Sequence, residues 1–531
     1  MASGAIARSL SRVTWAVRSP HRGSIASRLN PVRTRAKNSA TEGPHPAHQK
    51  SPLLTPRSED FSRWYLDIIK QAELADNGPV RGTMIIRPYA YALWENIQQY
   101  LDVQFKALGV DNGYFPMFIP YSFIEKEANH IEGFFPELAL VTKGGGKDLE
   151  EAIVVRPTSE TIVNNSFKDW ISSYRDLPLL FNQWANVVRW EMRTRPFLRT
   201  LEFLWQEGHT CHEEMDEADN FARSMLDVYV KFAEDVAAIA VVRGSKSRIE
   251  RFAGADATYT IEAMMGDGKA LQCGTSHFLG QNFSKSFDIT FLDNAGARKH
   301  VWQTSWGVST RLIGGIIMSH GDDKGLCLPP RLAPYQVVVT LIFKKGVETT
   351  ALRAFSDRIV SSLVEAGVRV KVDDDPNTSP GYKFNFWEMK GVPLRIEIGA
   401  KDAESGTVVL ARRDQPGRDG KRVIDAVSVS EMVRTSLDDM HFSMLERSRL
   451  FRESNTVDVQ NYDEFKAAIS EGKWARGYWG GTDSDERQIK EDCQATLRCF
   501  PFDAPAGHQS SGKCFFTEGE NGQIALFARS Y

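Results

Sequence analysis

Between residues 150 and 330, strand-like runs follow one another through turns, with few helices between them. Val187-Val188 and Leu201-Phe203-Trp205 flank a basic loop and read as a hairpin. Tyr259–Met265, the turn Gly266-Asp267-Gly268 and Ala270–Cys273 read as a second, with Asp-Gly turn chemistry. Hairpins in succession build a mostly antiparallel sheet, because parallel strands need long crossovers. A parallel dinucleotide-binding sheet is therefore excluded here. The long helix expected in this region spans 217–241, with Phe221, Met225, Val228, Phe232, Val236 and Ile239 on one side.

The flanks read differently. From Phe61 to Gly113 the pattern is helical, with Leu93, Ile97, Leu101, Phe105 and Leu108 on one apolar face and a stop at Gly109. Tyr114–Pro120 is a short extended run whose prolines keep it at an edge or interface. Leu328–Pro334 marks a boundary. Beyond it, strands at Gln336–Phe343, Val368–Val372, Leu394–Ile398 and Val408–Ala411 alternate with helices at Thr349–Glu365 and Phe384–Lys390. That alternation predicts a separate α/β unit with a mixed or parallel sheet. The fold class is a multidomain α/β chain: an antiparallel-sheet domain over 58–330, an α/β domain over 331–440 and a small α+β domain over 441–531.

The net charge of −3 averages over unlike parts. Residues 1–40 hold seven Arg, one Lys, seven Ser and no Asp or Glu. An acid-free leader rich in Arg and Ser, without a long apolar core, has the composition of an organelle transit peptide. It is expected over 1–45, followed by a Pro-rich linker over 46–57. A disordered basic arm that touches RNA is the other reading of these charges. The rest of the chain holds 57 basic and 68 acidic residues, so a nucleic acid must be met by a local patch. The balance is 29 against 38 over 41–330, 17 against 16 over 331–440, and 11 against 14 over 441–531. The α/β part is thus the least repulsive surface for RNA. Six cysteines without a CxxC pair rule out a disulfide-dense secreted scaffold. No run approaches the eighteen apolar residues of a membrane span.

Three segments carry chemistry. In Val188-Arg189-Trp190-Glu191, hairpin alternation points Arg189 and Glu191 the same way. The arginine can hold a phosphate oxygen while the carboxylate accepts from an amino group. The loop adds Arg193, Arg195 and Arg199, a rim suited to phosphates or a tRNA end. A charged hairpin held by cross-strand ion pairs would use the same residues. In Ser305–Gly315, small residues precede Arg311 at a strand-to-helix junction. They let a ligand approach the backbone, or simply start a packed helix. The third segment is Phe115-Pro116, after Leu108-Gly109. The Gly144–Gly146 run before Lys147 lacks a Walker Ser/Thr and reads as a mobile loop. The acidic run Glu213–Asp219 reads as a solvated helix start.

Together the three segments resemble motifs 1, 2 and 3 of the class II aminoacyl-tRNA synthetases. Arg156–Glu160, Phe203–His209, Gly274–His277, Leu279–Phe283, His320–Leu326 and Pro380–Phe384 are similar to runs of the prolyl-tRNA synthetases of archaeal/eukaryote-like type. The resemblance covers about residues 57–531.

The resemblance implies formation of prolyl-adenylate from proline and ATP, then transfer of proline to the 3′ end of tRNA(Pro). On that template Arg189 and Arg311 are the catalytic arginines. Arg189 contacts the α-phosphate and the proline carboxylate, and Arg311 the γ-phosphate. Glu191 reads the adenine amino group, Phe203 stacks on the ring, and Thr200, Gln272 and Thr275 hold the nucleotide. Thr158, Glu160, Trp205, Glu207, His209 and His277 shape the proline pocket, with Glu160 near the secondary amine. Lys383, Phe386, Glu388, Lys390 and Arg395 are implied for the anticodon. Magnesium arrives with ATP, and no metal of the chain's own is expected. Many relatives hold zinc on four cysteines, but here only Cys493, Cys499 and Cys514 lie in the tail, with His508 nearby. Zinc is therefore not expected, and packing of Trp474, Tyr478, Trp479, Phe500, Phe515 and Phe527 takes its place. Tyr531 is expected towards the active site. About a hundred residues separate the motif 2 hairpin from Arg311, which leaves no room for an editing domain and implies editing in trans. A homodimer is expected through motif 1, around Ala107–Pro120, and an organellar location, mitochondrion and/or chloroplast stroma. The competing readings are another class II synthetase and a non-catalytic tRNA-binding paralogue.

Overall fold

The computed structural model describes residues 54–126, 138–344, 348–415, 417–503, 509 and 511–531. The leader expected over 1–45, most of the linker and His508 lie outside them. No helix among the described residues is long and apolar enough to cross a membrane.

An eleven-stranded sheet organises the chain. Its order is Thr456–Asp458, Trp474–Trp479, Gln523–Ala528, Thr496–Pro501, Val241–Ser245, Ala257–Met264, Ala270–Gly280, Trp302–Ser309, Glu202–His212, Leu179–Val188 and Asp111–Asn112. Neighbours are antiparallel except at the two ends, where Thr456–Asp458 and Asp111–Asn112 pair in parallel. Both expected hairpins are present. The expected helix spans Met215–Asp235, ending six residues early, and the strand Val241–Ser245 follows after a turn. Ala238 adopts a φ of 53°, a left-handed conformation that stops the helix although apolar residues continue.

The helix Pro88–Ala107 covers one face of the sheet. Proline at its first position suits a helix start. Leu93, Ile97, Leu101 and Phe105 are buried at the expected spacing. Phe105 packs 4.9 Å from Trp306, and Tyr100 lies 5.8 Å from Phe232 of the helix Met215–Asp235. Burying each such side chain contributes about 1.5–3 kcal/mol. The chain turns out of the helix at Gly109, whose φ of 82° suits glycine. Leu108 departs from the expected face and is 41% exposed. The Gly144–Gly146 run is no loose loop: Gly145 and Gly146 form the tight turn between Ala139–Gly144 and Lys147–Val155.

The α/β part has five strands in the order Val370–Asp373, Val337–Leu341, Leu394–Ile398, Thr407–Arg412 and Lys421–Asp425. The first three are parallel and the last two antiparallel, so the sheet is mixed. The helix Val429–Ser454 runs through the expected boundary at 440 without a break. In the tail, Trp474, Trp479, Phe515 and Phe527 are buried as expected, while Tyr478 and Phe500 are half-buried. Pro501 and Phe500 pair with Gly244 and Ser245, which fuses the tail's strands to the central sheet.

Candidate active site

Four adjacent strands build one face of a cleft. On Glu202–His212, alternation turns Phe203, Trp205, Glu207 and His209 the same way. Pairing then sets cross-sheet rows. His209 faces Ser305, Ser305 faces His277, and His277 faces Thr258. Glu207 faces Gly307, which faces Thr275, and Trp205 faces Ser309. A bulge after Ile261 lets Gln272 and Thr275 both reach the cleft. The cavity measures about 280 Å³.

Ten expected residues line it together: Thr158, Glu160, Arg189, Phe203, Trp205, Glu207, Gln272, Thr275, His277 and Arg311. Arg189 sits just past the strand Leu179–Val188. Its Nε donates to the Pro157 carbonyl at 3.1 Å, and its guanidinium lies 5.5 Å from the ring centres of both Phe203 and Trp205. Arg311 opens the helix Arg311–His320 and donates from Nε to the Leu198 carbonyl at 3.1 Å. Burial, then repulsion from Arg189 and Arg199, pushes its pKa down to about 10. It stays charged at neutral pH, and no carboxylate pairs with it among the described residues. Such a pair of cations can receive an anion.

The other side is a carboxylate–histidine network. Glu207 accepts from Ser159 Oγ at 2.5 Å, from the Ser159 N–H at 3.1 Å and from Gln183 Nε2 at 2.5 Å. His209 Nε2 lies 3.3 Å from Glu207. Burial opposes charge on both. The contact with His209 outweighs it for Glu207, whose pKa falls, and the Glu207 and Glu160 carboxylates outweigh it for His209, whose pKa rises. Glu160 accepts a hydrogen bond from Thr158. His277 stays neutral: burial, then His209, lowers its pKa to about 3.

Three expected residues lie off the cleft lining. The strand ends at Val188, so alternation no longer couples Glu191 to Arg189. Glu191 instead pairs with Arg199 at 3.2 Å. Thr200 is buried and donates to the Glu202 carbonyl at 2.7 Å. His209 sits behind Glu207. Sequence reasoning missed Glu250, Arg251, Phe252 and Thr258, which also line the cleft. Thr258 could have been found from the register of the second hairpin. The others lie on an irregular loop without a pattern.

The chain matches family models for the class II tRNA synthetase core domain (G, H, P, S and T) over 141–320, the anticodon binding domain over 336–435 and the prolyl-tRNA synthetase C-terminal domain over 462–531. It is 60% identical to the chloroplastic/mitochondrial proline–tRNA ligase of Arabidopsis thaliana, over 90% of this chain and 88% of that one. The chain belongs to the proline–tRNA ligases. A proline–tRNA ligase of a Roseiflexus species is 52% identical over 90% of this chain and 99% of its own. Prolyl-tRNA synthetase of Cryptosporidium parvum, solved with halofuginone and AMPPNP, superposes with a TM-score of 0.85 at 39% identity, covering 90% of this chain and 99% of that chain. The same enzyme solved with L-proline and AMP gives 0.84 at 38% identity, with the same coverage.

Against the proline–tRNA ligase pattern, the implied anticodon residues face inward more than expected. Lys383 is 1% exposed and pairs with Asp373 at 3.1 Å. Lys390 reaches out of the α/β part to Glu73 at 2.7 Å and the Ala72 carbonyl at 3.1 Å. Glu388 pairs with Lys324 at 3.4 Å, and Arg395 with Glu397 at 2.9 Å. Phe386 stacks near the exposed Tyr382. Tyr531 Oη donates to Asp267 at 2.7 Å, and its ring and that of Tyr65 sandwich Arg195 of the motif 2 loop. Cys499 and Cys514 are buried, and no three His, Cys, Asp or Glu groups converge on a metal position among the described residues.

Proposed function

We propose that this chain, a proline–tRNA ligase of organellar translation, performs both steps of its reaction in the cleft between Arg311 and Glu160. One observation carries the reading: two guanidinium groups, Arg189 and Arg311, share one small cavity with a carboxylate–histidine network. In the first step the proline carboxylate attacks the α-phosphorus of ATP, a bond to that phosphorus forms, and pyrophosphate leaves. No general base is needed, because the carboxylate is already ionised. An anion approaches a polyanion, so fixed guanidinium groups lower the barrier. Arg189 would hold the α-phosphate and the carboxylate, and Arg311 the γ-phosphate. Phe203 would stack on adenine, Glu191 would read its amino group, and Thr200, Gln272 and Thr275 would hold the nucleotide. In the second step a terminal ribose hydroxyl of tRNA(Pro) attacks the carbonyl, and AMP leaves.

Proline recognition follows from charge balance. The Glu207 and Glu160 carboxylates raise the pKa of His209, and a proton held there would offset Glu207 and leave Glu160 to face the ring's NH₂⁺. Thr158, Trp205 and the neutral His277 would enclose the ring. Magnesium would enter with the nucleotide, its oxygens supplied mainly by the phosphates. Glu160 and Glu207 are already engaged by Thr158, Ser159, Gln183 and His209. The anticodon would be met by the 331–440 part, and mischarged products cleared in trans. A homodimer fits the exposed apolar residues around motif 1, Leu108, Tyr114 and Phe118, the last two 67% and 49% exposed. The location would be mitochondrion, plastid stroma or both, distinguished by imaging a fluorescent fusion of residues 1–60.

The test is proline-dependent ATP–pyrophosphate exchange. Arg189→Ala should abolish exchange while leaving tRNA binding largely intact. Surviving exchange would remove Arg189 from the reaction.

A further inference from the structure

The tail reaches the cleft through a loop, apart from the contact of Tyr531 with Arg195 of the motif 2 loop. Residues 246–256 connect the strands Val241–Ser245 and Ala257–Met264, and carry Glu250, Arg251 and Phe252 into the cleft. The start of this loop is held at three successive residues, the first by the catalytic sheet and the next two by the tail. Lys246 Nζ donates to Glu262 at 2.8 Å, and Arg498 of the strand Thr496–Pro501 donates to the other oxygen of that carboxylate at 2.9 and 3.1 Å. Ser247 Oγ donates to Glu486 Oε1 at 2.8 Å, and these two residues are 7% and 4% exposed. Arg248 pairs with Asp483, but it is mostly exposed, so that contact contributes little. Glu486 and Asp483 both belong to the helix Asp483–Cys493.

The loop ends on the proline side of the cleft. The Phe252 ring stacks on His277, 4.6 Å between centres and 27° between planes. Its N–H donates to Thr258 Oγ1 at 3.0 Å, the same hydroxyl that meets His277 Nδ1 at 3.0 Å. The far end is tied within the catalytic sheet, where the Asp256 N–H donates to the Phe278 carbonyl at 2.9 Å. The near end is tied to the same sheet at Lys246, whose N–H donates to the Thr258 carbonyl at 2.9 Å, and the next buried hold along the loop is Ser247 on Glu486 of the tail.

We propose that Glu486 is a positioning residue for proline: by holding Ser247 it keeps Phe252 closed on His277, so the tail sets amino-acid selectivity from outside the catalytic part. The proposal rests on the proline reading of the cleft. A small apolar pocket discriminates by only ~10–200-fold per methylene, so a displaced wall is felt first in amino-acid recognition. The phosphates are gripped independently by Arg189 and Arg311.

Proline-dependent exchange by the wild-type chain checks the underlying reading, and its absence would overturn that reading and the proposal with it. Given exchange, Ser247→Ala and Glu486→Ala should each raise the KM for proline about tenfold, with the KM for ATP changed less than about twofold. Activation of alanine relative to proline should rise by a similar factor. Glu486→Gln, whose amide oxygen still accepts from Ser247, should stay near wild type. Phe252→Ala should reproduce the proline effect, and adding Glu486→Ala to it should change the KM by less than about twofold. The proposal is overturned if proline KM is unchanged, if proline and ATP KM rise together, or if Glu486→Gln fails to rescue. Should Glu486→Ala not fold, Ser247→Ala, which removes one hydroxyl, decides the matter alone.

Discussion

Arg311 is a cation crowded by cations: burial, Arg189 and Arg199 together lower its pKa to about 10. An incoming phosphate would relieve that repulsion, so anion binding is expected where these cations crowd one another. Lysine keeps the charge but lacks the planar fork. Arg311→Lys should therefore lower kcat/KM for ATP in exchange by ~10²–10³-fold, and a loss under tenfold would remove Arg311 from phosphate binding. Histidines give a second prediction. Burial lowers the pKa of His277 to about 3 and of His320 to about 4. The unfolded chain binds these protons near pH 6.5 and the folded chain does not. Stability is thus complete above that value and falls as pH drops, by up to about 1.4 kcal/mol per unit for each ring. His209 has the opposite sign, its contribution being present below pH 6.5 and lost as pH rises through its raised value. Tm should fall between pH 6.5 and 5, and His320→Gln should flatten that slope, whereas an unaltered slope would mean that the ring is charged in the fold. Most of the cleft was legible in the sequence because strand alternation and motif order both mark its residues. Lys383 and Lys390 were not, since a lysine stem can lie buried with its charge on an internal partner.

At the level of strands and helices, close approach limits what the sheet tolerates. Gly208 faces Trp306, and a Cβ there would fall 2.2 Å from the indole ring. Gly208→Ala must displace that ring, which packs on Phe105 of the helix Pro88–Ala107. The expected cost is about 1–3 kcal/mol, read as a lowered denaturation midpoint, with exchange activity falling as Glu207 beside it shifts. An unchanged midpoint would show that the indole can move freely. Both hairpins were legible because turn chemistry and alternation agree. The early helix end at Asp235 was hidden because Val236 and Ile239 continue the helical spacing, while the break at Ala238 is a backbone event without a sequence mark. The pairing of Phe500 with Ser245 was hidden too, since it joins segments more than 250 residues apart through two residues.

For the whole molecule, exposed Tyr114 and Phe118 beside Leu108 set the expectation for assembly. The chain should sediment at twice the monomer mass, and Tyr114→Asp with Phe118→Asp should yield monomers. A wild-type monomer would exclude motif 1 as an interface. The acidic balance outside the leader means that tRNA must be met by a local basic patch, and its affinity should drop with added salt in proportion to the phosphates that patch contacts. Domain order was legible from the change in periodicity near 330, but the joints were not. Arg413 donates to Asp322 at 2.6 and 2.8 Å, Lys390 holds Glu73, and Val429–Ser454 is one unbroken helix. A chimera that exchanges the RNA-reading part with a relative's must therefore place its second crossover after Ser454, not at 440. It must also carry Glu73 and Asp322 along with Lys390 and Arg413, because each pair is a single graft divided between distant stretches of chain.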